Sequence, residues 1–72
     1  MADKNITGRD DYIIAQAMAY AIAMIDSLPP DKRELGNRMA MVMLLHHYAP
    51  DAEFREMILD GIEGHTGRRP SV

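Results

Sequence analysis

Residues 12 to 25, "YIIAQAMAYAIAMI", carry one conventionally polar side chain, Gln16, and alanine at every odd position from Ala15 to Ala23. Alternation of small and large residues has the period of a strand. Five alanines argue against a strand, because alanine is the best helix former and is depleted in sheets. The pattern predicts a helix. Thr7-Gly8-Arg9-Asp10 has the letters of a capping box at its start, and Asp10 and Asp11 put negative charge at the positive end of the helix dipole. Pro29 stops the run and pushes Leu28 out of helical space, so helix one is expected over residues 8–27.

At about 100° per residue, Ile14, Met18, Ala21, Ile25 and Leu28 fall on one side, flanked by Ala17, Ile22 and Met24. That side reads as the core stripe. The other side carries Tyr12, Gln16, Ala19, Tyr20, Ala23 and Ser27, with no charge between Asp11 and Asp26. Ala15, Ala19 and Ala23 lie four apart, a spacing that lets a second helix approach closely. Tyr12, Gln16, Ala19, Tyr20 and Ala23 are therefore the expected partner-binding residues.

"LPPDKRELGN" reads as a connector in which Pro30 opens a short turn and Gly36-Asn37 interrupts it. Asn37 is a credible N-cap for helix two, residues 38–48, which is apolar all the way round from Met39 to Leu45. Helix three is expected over residues 50–63, with Phe54, Met57, Ile58, Gly61 and Ile62 as its buried stripe. Glu53, Glu56, Asp60 and Glu63 share the opposite face, Gly64 ends the helix, and residues 65–72 read as a flexible tail without an apolar anchor before Val72. The expected fold is all-α: one three-helix domain over residues 1–64, followed by that tail.

Seventy-two residues make a single marginal core, burying about 60% of the surface the unfolded chain exposes. Small domains usually add disulfides, a metal or a partner chain. Cysteine is absent, which removes disulfides and thiolate chemistry and fits a cytoplasmic setting. Two helices with so little charge are hard to hide in one short chain. Association with a second copy, a dimer by preference, or docking on a larger protein is the simplest remedy. Seven methionines fit both core filling and adaptable contact surfaces.

The net charge of −3 is too weak to mimic nucleic acid or to seek it. The first eleven residues have neither an apolar signal core nor an arginine-rich amphipathic pattern, and Asn5-Ile6-Thr7 matches a glycosylation sequon by its letters alone. A membrane span is not expected, since the fourteen-residue apolar run falls short of the ~20 required. His46 and His47 are adjacent and point about 100° apart on a helix, a poor arrangement for chelation, and helix-end packing, or pairing of an imidazole with the last carbonyls of the helix, is the expected role. The carboxylates of helix three suit a solvated face rather than acid–base work or cation binding. No nucleophile has a base beside it by any motif, so neither catalysis nor a cofactor nor a metal is expected. "RRPSV", residues 68–72, has the letters of a basophilic-kinase site. The expected function is a non-catalytic helical interaction module working through helix one. The alternative is a small DNA-associated regulator that uses Arg33, Arg38 and the tail arginines Arg68 and Arg69.

Overall fold

The computed structural model describes the backbone of residues 3–72 and the side chains of residues 9–72. Helix α1 spans Asp3–Asp26, a 3-10 turn covers Pro30–Lys32, α2 spans Leu35–Tyr48 and α3 spans Ala52–Thr66. No strand occurs among the described residues, so the fold is all-α, as the alanine content requires.

The boundaries differ from expectation for local reasons. α1 starts at Asp3, about one turn before residue 8; the side chain of Thr7, expected as a cap, lies outside the described residues. Its C-terminus is capped by Ser27, whose hydroxyl donates to the Met24 carbonyl at 2.6 Å, and by Arg33. The Arg33 guanidinium donates to the carbonyls of Leu28 (2.7 Å) and Asp26 (3.0 Å), answering acceptors that the helix end leaves open. The Pro30 turn is separate from α2, and α2 runs straight through Gly36 and Asn37. Asn37 is therefore not the N-cap; its side chain donates to Glu34, which is.

Asp51, not Pro50, opens α3. Its carboxylate accepts the Phe54 N–H at 2.9 Å. α3 passes through Gly64 and ends at Gly67, the only described residue with positive φ, at 77°. That left-handed C′ position is what stops the helix, and Gly64, needing no such conformation, costs only propensity.

α1 is the shared element. α2 and α3 each pack against it and make no comparable interface with one another. The bidentate pair of Arg38 with Asp26 joins the start of α2 to the end of α1, so α2 runs back along it. Tyr12 packs on Phe54 with ring centroids 5.9 Å apart, and Tyr20 stacks on His65 at 6.5 Å, so α3 runs in the direction of α1. The arrangement is up, down, up about one central helix.

The core contains Ala15, Ala19, Ile22 and Ala23 of α1, Leu45 of α2, Ala49, and Ile58, Leu59 and Ile62 of α3. Ile22, Leu45 and Ile62 are its largest fully buried side chains, each worth about 1.5–3 kcal/mol. This corrects the expected stripes in part. Positions 14, 18 and 21 of α1 give way to Ala15, Ala19 and Ile22, while Ile25 is buried as expected, and Asp26 follows on the new face to meet Arg38. In α3, Met57 and Gly61 are exposed, while Ile58, Leu59 and Ile62 are buried with Arg55 half-buried beside them. Small residues win the buried face of α1 because two helices must approach it, and close approach favours alanine over isoleucine or methionine.

The C-terminal segment is anchored, contrary to the reading that nothing holds it. Pro70 is buried, and Arg69 forms ion pairs with Glu56, Asp60 and Glu63 across the acidic face of α3. Arg38 also donates to the Ser71 carbonyl at 2.9 Å. The anchor is ionic and prolyl rather than an apolar stripe, which is why helical periodicity does not show it.

Candidate functional site

The five expected partner-binding residues do not form one open face. Ala19 has no exposed surface and Ala23 is 4% exposed; both are covered by the chain's own α2 and α3. Gln16 is half-buried and donates to the Tyr12 hydroxyl at 3.3 Å. Tyr12 and Tyr20 remain at the surface along the α1–α3 seam, with the Tyr20 hydroxyl 2.9 Å from His65 Nδ1. The close-packing edge read from the alanines is thus closed within the chain.

Tyr20 and Ala23 also line a groove of about 310 Å³ with Met24, Ser27, Thr66 and Arg68. The floor is mainly apolar. Thr66 is turned into backbone work, donating from its hydroxyl to the Ile62 carbonyl (2.8 Å) and accepting the Arg68 N–H (3.2 Å). No acid–base pair converges on the groove.

The open apolar surface is on α2. Leu35, Met39 and Met43 are 63%, 67% and 67% exposed, and Leu44 is 42% exposed. Leu45 alone is buried in this helix, and Met41, Val42 and Tyr48 pack partly against the core. The opposite side, which also holds Gly36, Ala40, His46 and His47, carries no aspartate, glutamate, lysine or arginine. Arg38, the one strong cation on the helix, is turned away toward Asp26 and Ser71. A second groove, about 330 Å³ and lined by Leu35, Arg38, Met39 and Val42, runs along the edge of this face. The sequence contained the signal, since residues 39 to 45 are apolar all round. Which side stays open is decided by packing.

The basic groups are largely engaged. Arg33 is bound to two carbonyls, Arg38 to Asp26, and Arg69 to three carboxylates, leaving Arg68 as the arginine of that set whose side chain has neither a hydrogen bond nor an ion pair among the described residues. Arg55, unremarked in the sequence, donates to the carbonyls of Ala49 (2.8 Å) and Pro50 (3.2 Å) at the end of α2. That is the end-capping role expected of the histidines. His46 and His47 are exposed, and His47 meets Tyr48 edge-on at 4.9 Å.

The Asp26–Arg38 pair is the best-shielded ion pair described, with side chains 19% and 21% exposed and donor–acceptor distances of 2.7 and 3.0 Å. Hydrogen bonding from Arg38 holds the Asp26 carboxyl below its ordinary 3.8, against the opposing effect of burial, with further help from the positive charges of Arg38, Arg33 and Arg68. Its location between two helix ends makes it a structural fastener.

Among the described residues no group of three His, Asp or Glu side chains is placed to hold a metal, and no helix is long and apolar enough to cross a membrane. In comparisons with known proteins, no family model, curated protein or solved structure matches the chain.

Proposed function

We propose that this chain is a small non-catalytic interaction module that docks helix against helix, through the outer face of α2 rather than through helix one. The observation that carries the reading is the uncharged, exposed row Leu35, Met39 and Met43, with Leu44 at the far margin of the same open side, on a helix whose single strong cation is bound to Asp26. Scattered exposed apolar residues are ordinary, but a continuous face of this kind is characteristic of contact surfaces. Methionine suits such a face, because its unbranched side chain adapts to the surface it meets. The occupant is another helix: an exposed helical stripe at i, i+4, i+8 spacing matches a helical partner better than a flat or extended one.

The DNA-associated reading is less well supported. Phosphate contact needs free cations, and Arg33, Arg38 and Arg69 would have to leave intramolecular partners first.

A photo-crosslinking residue at position 43, in cells that make the protein, tests the reading. Position 53, on the charged face of α3, is the control. A discrete adduct from 43, absent from 53 and abolished by adding Met39→Glu, is the expected result. No discrete adduct from 43 would sink the reading.

A further inference from the structure

We propose that Ser71 is a phosphorylation site whose phosphate is received by Arg38 and Arg68, where the end of α1 meets the start of α2. The inference stands apart from the open face of α2 and rests on the presentation of the serine, the charge around it and the residues that precede it.

Presentation comes from the anchors of the C-terminal segment. Arg69 is held by Glu56, Asp60 and Glu63, and Pro70 is buried. Ser71 follows directly and is exposed. Its carbonyl accepts from Arg38 Nη2 at 2.9 Å, while its hydroxyl has no hydrogen-bond partner among the described residues. The serine is thus fixed at the surface with its hydroxyl open and a guanidinium bound to its own backbone.

The charge at this junction is in excess. Arg38 grips the Asp26 carboxylate, Arg33 binds the Asp26 carbonyl, and Arg68 lines the groove beside Ser27. Three guanidinium groups therefore gather about one carboxylate, and the nearby Glu34 is bonded to the Asn37 amide. Arg38 serves Asp26 and Ser71 through Nε and Nη2, so the donors of its Nη1 remain open, as do all those of Arg68. A phosphoserine would bring about −1.5 to −2 charge and three acceptor oxygens to that excess. Guanidinium suits phosphate because it offers paired N–H groups in one plane.

The preceding residues complete the site. Arg68 and Arg69 stand three and two residues before Ser71, the order in which a basophilic serine kinase reads its substrate. Arg69 becomes readable when it leaves its carboxylates, which exposed ion pairs allow at small cost. In the transfer, Ser71 Oγ attacks the γ-phosphorus of ATP. The new O–P bond forms as the bond to the bridging β-phosphate oxygen breaks, ADP leaves, and the hydroxyl proton passes to the kinase's base. The phosphate then fastens the segment to α2 by charge-assisted hydrogen bonds where a single backbone carbonyl held it before.

The test uses the full chain. Incubation with a basophilic serine kinase and ATP should add one phosphoryl group, located at Ser71 by fragmentation mass spectrometry and lost in Ser71→Ala. A chain synthesised with phosphoserine at position 71 is then titrated by phosphorus NMR. The second pKa of the phosphate, ordinarily about 6, should lie at least about 0.5 lower than in a free peptide of residues 66–72. Arg38→Gln should remove most of that difference and Arg68→Ala part of it. Where Arg38→Gln loses its helical signal by circular dichroism, Arg68→Ala carries the test, because its side chain holds nothing in the unmodified chain. A full chain that the kinase leaves unmodified would overturn Ser71 as the site. A phosphate that titrates as in the free peptide, on a chain of intact helicity, would overturn the arginines as its receivers.

Discussion

α1 and α2 are alike in sequence, each with an apolar run too wide for one buried stripe, and they meet opposite fates. α1 is covered from two sides, so Ala15, Ala19 and Ala23 vanish into the core. α2 touches α1 on one side, buries Leu45 and leaves Met39 and Met43 in the open. Width of apolar surface alone does not distinguish a central helix from a sticky one. Side-chain size does better: the helix that two others must approach is built of alanine, and the one with a free face carries long, adaptable methionines.

Ala19→Glu should break this contrast most severely. It puts a carboxylate where there is no exposed surface and forces α2 or α3 off α1. A lone buried charge is not tolerated by a domain whose total stability is on the order of 5 kcal/mol, so the chain should lose its cooperative melt by circular dichroism. A variant that melts like the parent would mean that the alanine edge is not packed as described.

Leu45→Ala comes next. It opens a cavity in a fully buried position and should cost about 2–5 kcal/mol by denaturant titration. Phe54 looks the larger residue to lose from sequence, but it is only half-buried at the rim against Tyr12, and Phe54→Ala should cost less, about 1–2 kcal/mol. A reversal of that order would relocate the core toward the start of α3.

Asp26→Asn sharpens the comparison at the point where α1 and α2 join. Losing charge-assisted hydrogen bonds to Arg38 should cost about 1–2 kcal/mol at neutral pH. The sign with pH follows from the lowered folded-state pKa of Asp26. Its contribution is complete above the ordinary 3.8 and is lost as pH falls through the lower folded value, so the stability gap between parent and variant should start to close only as pH drops below 3.8. A difference that stays constant down to pH 2 would show that the pair does not form.

The smallest effect is expected on the open face. Met43→Ala should change the stability of the dilute monomer by no more than about 0.5 kcal/mol, as for other exposed positions. A loss comparable to that of Leu45→Ala would mean that this side of α2 is covered.

Helical class, the proline-bounded connector and the small core were legible in the sequence, because they depend on local propensity, on backbone sterics and on total apolar content. The choice of buried face was legible only in part. In α3 Ile58 and Ile62 are buried as their stripe expects, with Leu59 in place of Met57. In α1 Ile25 is buried as expected but Ala15, Ala19 and Ile22 displace Ile14, Met18 and Ala21, since a helical wheel weighs each side chain alone and cannot count how many neighbours approach it. The same limit hid the anchors of the tail: Arg69 finds Glu56, Asp60 and Glu63, and Arg38 finds Asp26, only after the helices lie side by side. Sequence by itself determined that this protein has more apolar helix surface than a lone three-helix chain readily hides. Tertiary structure decided where the surplus went, because burial is a relation between elements: placing α1 at the centre covered Ala15, Ala19 and Ala23 and left Met39 and Met43 of α2 outside.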